Sequence, residues 1–190
     1  MSTQGLEQAF AVSRGVLENV QANQMDDDTP CKSWKVRDLV NHIVGGVQWF
    51  GASMDSGDGS DATGDEIGDY TGGDYLAVFD DGAKNAVAAF GKPGALEKTV
   101  TLPFGEFPGM AFMGLATTDT FTHAWDLAKA TGQSTNLDPD LAAQLLVGAQ
   151  AAIGDAWRGP DKKAPFGPKQ DAPAGASPAD QLAAFLGRKV

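Results

Sequence analysis

Apolar side chains recur at helical spacing along four separate stretches, and that periodicity restricts the chain to a helical architecture. Residues 4–24 place Leu6, Phe10, Val12, Val16, Leu17 and Val20 on one face. Residues 36–53 do so with Val36, Leu39, Val40, Ile43, Val47 and Phe50, and residues 74–90 with Tyr75, Val78, Phe79, Ala83, Val87 and Phe90. A fourth helix is expected over residues 109–131, stopped by Gly132. Side chains three and four apart share a helix face, so each stretch carries a stripe that another stretch must cover. The expected fold is all-α: a four-helix bundle with long connections, a short extended excursion and a C-terminal appendage.

The connections are legible from their turn chemistry. Asp26-Asp27-Asp28-Thr29-Pro30 closes the first helix, and Ser33 stands where it could cap the second. Residues 55–73 are rich in Asp, Gly, Ser and Thr, offer little to bury, and are expected to form a long exposed loop. Gly91-Lys92-Pro93-Gly94 stops the third helix. Thr99-Val100-Thr101-Leu102 alternates and is β-branched, and a turn through residues 103–108 follows, so a short hairpin is expected. Asp138 as N-cap and Pro139 at the first helical position open a fifth helix bearing Leu141, Leu145, Leu146 and Ile153. Five of the ten prolines fall in residues 159–178, which excludes a continuous helix there. A capped helix over residues 177–187 should then dock through Leu182, Phe185 and Leu186. The expected division is a helical bundle over residues 1–157 and a Pro-rich C-terminal segment over 158–190.

The chain has two histidines, and each stands on one of these helices. Asp119 and His123 are four residues apart, so they stack on one helix face, while His42 lies on the second helix. Two imidazoles and a carboxylate can hold a divalent metal and leave a position open. Asp126, three residues beyond His123, could accept a hydrogen bond from its ring. Gly45 and Gly46 follow His42 by one turn. Each glycine costs a helix about 1 kcal/mol relative to alanine, so the pair needs a reason. A metal, a bound substrate or a close helix contact would supply one. Trp49, one turn further, completes a possible pocket wall. The alternatives remain open at this point: His42 as a hydrogen-bonded boundary histidine, and Asp119–His123 as a surface ion pair. Cys31 is a nucleophile, a fourth ligand or simply a small buried side chain. Neither a Ser-His-Asp motif nor a phosphate-binding glycine pattern is present.

Bulk properties exclude some function classes. Net charge is −11, from 25 acidic and 14 basic side chains, which disfavours nucleic acid and anionic membrane surfaces as partners. One cysteine permits no internal disulfide, as expected of a cytoplasmic protein. No basic-then-apolar leader and no apolar run of the roughly 20 residues needed for a membrane span is visible.

The stretch Thr29-Pro30-Cys31-Lys32-Ser33-Trp34-Lys35-Val36-Arg37-Asp38-Leu39-Val40-Asn41-His42, followed by Asp119-x-x-x-His123-Ala124-Trp125-Asp126-Leu127-Ala128, resembles the DinB/YfiT-like superfamily. It is most similar to the actinobacterial metal-binding group related to mycothiol-dependent maleylpyruvate isomerase. The likeness covers most of the chain, including Ala130-Thr131-Gly132-Gln133 and Phe185-Leu186-Gly187-Arg188. It implies a DinB-like bundle holding a divalent metal, commonly zinc, through His42, Asp119 and His123. Two departures stand out: the isomerase has glutamate at the position of Asp119, and Lys35 replaces a helix-capping threonine common in relatives.

Two functions follow as expectations. The first is a metal-dependent thiol enzyme, an S-transferase or isomerase using mycothiol as co-substrate. Its metal would be zinc, with nickel or iron as alternatives, and its partners a small-molecule thiol or electrophile bound beside Gly45, Gly46 and Trp49. The second is a non-catalytic metal-binding or stress-response bundle. An oxygen-activating iron site is a further alternative. The bundle is expected as a monomer or homodimer.

Overall fold

The computed structural model describes residues 2–60, 68–160 and 163–190. Among the described residues, six α-helices and one hairpin follow in the order α1 (Gln4–Leu17), α2 (Val36–Ser56), α3 (Tyr75–Phe90), β1 (Thr99–Leu102), β2 (Gly105–Pro108), α4 (Gly109–Ala130), α5 (Pro139–Ala152) and α6 (Pro178–Phe185). Short 3-10 turns occupy Ala22–Gln24 and Asp155–Trp157. The first four helices form a DinB-like four-helix bundle in which α1 and α2 each pack against both α3 and α4. Gly51 permits the close approach of α2 and α3, since a Cβ there would lie 3.1 Å from the Ala86 nitrogen.

Three local expectations differ from the structure. α1 stops at Leu17, well short of residue 24. Asn19 donates its side-chain amide to Gly15 O at 2.8 Å, and the backbone tightens to bonds from Asn19 to Val16 and from Val20 to Leu17. Val20 still reaches the core, so the apolar pattern outlasts the helix. The cap of α2 falls at Lys35 instead of Ser33. An antiparallel bridge between Asp28 and Lys35 keeps the chain extended up to that point, and Lys35 N–H donates to Asp38 Oδ2 at 2.9 Å. The expected exposed loop over 55–73 is in part tied down: α2 runs through residues 55 and 56, and Gly59 N–H donates to Thr101 O and Thr101 N–H to Gly57 O beyond it. Residues 61–67 of that loop lie outside the described residues.

The hairpin forms as expected, pairing Thr99 with Pro108 and Leu102 with Gly105. Its Val100 and Leu102 close one end of the core. α5 and α6 build a second apolar cluster on the outer side of α4. There Phe121 and Trp125 meet Leu141, Ala142, Leu182 and Leu186. α4 is therefore covered on two sides, and every residue from Thr120 to Ala128 is buried. A helix enclosed this way loses the one-sided stripe of a surface helix. Polar groups placed on it must find partners inside the protein. Among the described residues, no helix is long and apolar enough to cross a membrane.

Candidate metal centre

Packing of α2 against α4 brings His42 to the face of Asp119 and His123. Asp119 lies between the two imidazoles: Oδ2 is 3.7 Å from His42 Nε2 and Oδ1 is 3.5 Å from His123 Nε2. The rings stand edge-to-face with centroids 4.7 Å apart. Trp34 covers both, its centroid 4.5 Å from His42 and 5.5 Å from His123. The turn before α2 holds Trp34 in place: Trp34 N–H donates to Cys31 O at 2.8 Å, and the Thr29 hydroxyl donates to Trp34 O at 2.8 Å.

The donor set fits a divalent metal. Both ring nitrogens of His42 are buried without a hydrogen-bond partner among the described residues. An unpaired buried polar group carries a desolvation cost of about 1–3 kcal/mol, and a metal at Nε2 would remove it for one nitrogen. Zinc bonds of about 2.0–2.1 Å at tetrahedral angles set ligand atoms roughly 3.4 Å apart. Asp119 faces the two imidazoles with different oxygens, and one donor atom from each of the three side chains lies within 4.8 Å of the others, close enough to converge on one ion.

His123 is held from behind. Its Nδ1 lies 3.0 Å from Asp126 Oδ2, on a side chain with no exposed surface. Arg188 grips the same carboxylate with Nη2 at 2.9 Å from Oδ2 and Nε at 3.2 Å from Oδ1. The Cys31 thiol donates to Oδ2 at 3.2 Å. With Nδ1–H donated to Asp126, the Nε2 atom is the one facing Asp119 and His42.

The charges reinforce this arrangement. Burial pushes both carboxyls up, but their partners outweigh it. His123 holds Asp119 well below the usual carboxylate range, and Arg188 together with His123 does the same for Asp126. Burial pulls His123 down, yet the charge of Asp119 and the hydrogen bonds around the ring hold it well above 6.5. Arg188 is driven down by burial and up, more strongly, by Asp126, so it stays charged. The two carboxylates on either side of His123 thus favour the protonated form of its ring.

A second set of donors, Cys31, His123 and Asp126, is also close together. Both Asp126 oxygens already face Arg188, so a cation there would meet a guanidinium. The set of His42, Asp119 and His123 is the one without that repulsion.

Of the remaining pocket residues, Gly45 and Gly46 are half-buried on α2, one turn beyond His42. A Cβ on Gly46 would meet only the Phe50 ring, at 3.7 Å, so no neighbouring helix demands glycine there. Trp49 donates its indole N–H to Gly59 O at 3.2 Å and packs with Phe50 and Phe112. Arg188 was missed as a site residue by sequence reasoning, although Phe185-Leu186-Gly187-Arg188 belongs to the resemblance. It lies 62 residues from Asp126, where no local spacing can report a contact.

The molecule is thus a helical bundle whose second and fourth helices bring together two histidines and a carboxylate, a group of residues that could hold a metal ion. Residues 6–128 match the family described as mycothiol maleylpyruvate isomerase N-terminal domain, and the chain belongs to that family. It is also similar to two proteins of Mycobacterium tuberculosis, the uncharacterized protein Rv0738 of strain ATCC 25618 / H37Rv and the uncharacterized protein MT0763 of strain CDC 1551 / Oshkosh. Each is 44% identical over 190 residues, covering 100% of this chain and 97% of the relative.

Proposed function

We propose that His42, Asp119 and His123 hold one divalent metal, zinc with nickel or iron as alternatives, and that the protein uses it on a low-molecular-weight thiol. The observation that carries the reading is that the ring nitrogens of His42 find no hydrogen-bond partner among the described residues, while a donor atom of His42 lies within 4.8 Å of one from each of Asp119 and His123. The family, named for a mycothiol enzyme, makes mycothiol the proposed thiol. A bound divalent metal lowers the pKa of a thiol or water at its open position. The chain supplies the rest. His42 and His123 provide neutral nitrogen donors, Asp119 offsets part of the positive charge, and Asp126 keeps His123 turned toward the centre. Trp34 shields one side of both imidazoles. In this reading the thiol sits beside Gly45 and Gly46, with Trp49, anchored to Gly59, as a wall.

The reaction proposed is S-transfer to an electrophile or thiol-assisted isomerisation. The test is consumption of mycothiol with a chromogenic electrophile by the zinc-loaded protein. A rate that depends on both zinc and thiol, and falls at least 100-fold in Asp119→Ala, supports the reading. A rate no different from the uncatalysed one, in protein shown to hold zinc, leaves a non-catalytic metal-binding protein.

A further inference from the structure

The C-terminal segment reaches back into the centre by a specific turn. α6 ends in a Schellman motif: Gly187 N–H donates to Ala184 O at 3.0 Å, Arg188 N–H donates to Ala183 O at 2.9 Å, and Gly187 has φ +96°. The turn is pressed against the preceding segment, since a Cβ on Gly187 would lie 2.6 Å from Gly167 Cα. Only glycine meets both conditions. The chain reversal delivers the Arg188 guanidinium to the inner face of α4, where it engages both oxygens of Asp126. The Arg188 side chain is 13% exposed and that of Asp126 not at all. An unpaired carboxylate at such a place would be costly in its ionised form. A two-point guanidinium grip keeps it ionised and fixes its plane. The orientation of Oδ2, and with it of the bond to His123 Nδ1, follows from that plane.

We propose that Arg188 is a positioning residue of the metal centre: acting through Asp126, it sets the ring of His123 and hence the direction of Nε2. This rests on the metal reading of the site. It also makes the C-terminal segment part of that site, although the family match ends at residue 128 and all three donors lie inside it. The same grip separates the two clusters of donors. It reserves Asp126 as a hydrogen-bond acceptor, with the Cys31 thiol as one of its donors, and leaves the metal to His42, Asp119 and His123.

The test is zinc affinity of the full chain, measured by competition with a chromogenic chelator. Arg188→Gln and Asp126→Asn should each weaken zinc about 10–100-fold, the usual effect of removing the partner of a ligating histidine. The double variant should be no weaker than the weaker single variant, because both changes break one relay. Arg188→Lys, which keeps the charge and loses the fork, should fall between wild type and Arg188→Gln. If Arg188→Gln does not fold, Gly187→Ala replaces it, displacing the guanidinium without altering any side chain of the relay, and the same loss is expected. Leu182→Ala is the control for α6 docking: its melting temperature should drop while zinc affinity stays within about twofold of wild type. Wild-type affinity in Arg188→Gln, losses that multiply in the double variant, or an equal loss in Leu182→Ala would overturn the role of Arg188 with the metal reading intact. A wild-type protein that takes up neither zinc, nickel nor iron would overturn both.

Discussion

His123 has different tasks on its two ring nitrogens. Nδ1 is committed to Asp126, while Nε2 faces Asp119, whose charge favours a proton on the ring that a metal bound at Nε2 would displace. The consequence is a pH dependence with a defined sign. The folded value of His123 lies above the ordinary 6.5, so its contribution to stability is complete below about 6.5 and is lost as pH rises through the folded value. Asp119 and Asp126 run the other way. Their contribution is present above 3.8 and is lost as pH falls through their depressed values. The metal-free protein should therefore melt highest on a plateau between these limits and lower on both sides. Zinc affinity should rise with pH while His123 still carries its Nε2 proton, and level off above that range. Calorimetric titration in two buffers of different ionisation enthalpy measures the protons released. An affinity independent of pH between about 6 and 9, without proton release, would contradict the protonation assigned here.

Elements were legible where a single physical signal sufficed. The stripes of α2 and α3, the β-branched alternation of β1 and the Asp138-Pro139 start of α5 all appear as read. α1 was read too long, because Val20 keeps the apolar period after local hydrogen bonds have ended the helix. The start of α2 shows a further point. Asp38 bonds the Lys35 N–H, forming one half of a capping box, but a lysine side chain has no acceptor for the other half. Lys35→Thr should complete the box. Its ion pair with Asp28 is exposed and contributes little, so the expected net effect is a melting temperature raised by roughly 2–4 °C. An unchanged or lower melting temperature would show that the missing bond is already replaced.

At the scale of the molecule, the centre exists because α4 is enclosed by the bundle on one side and by α5 and α6 on the other. That His42, Asp119 and His123 would come together was legible because the chain has only two histidines and Asp119 and His123 share a helix face. The support behind His123 was only half legible: Asp126 is three residues away, whereas Arg188 arrives through the tertiary fold. Trp34 likewise becomes a cover over both imidazoles only once the turn before α2 is folded. A ligand bound only by the folded state stabilises it, by about 2.7 kcal/mol at a free concentration 100 times its Kd. Zinc should accordingly raise the melting temperature of the wild type and leave that of His42→Ala unchanged.

The measurement that reaches the central claim most directly is elemental analysis of the untagged protein beside His42→Ala, after equilibration with divalent ions and removal of the excess. The wild type should hold about one equivalent of zinc, nickel or iron per chain, lost in the variant, as expected for three ligands on two helices. No bound metal in either protein, or equal metal in both, would contradict it.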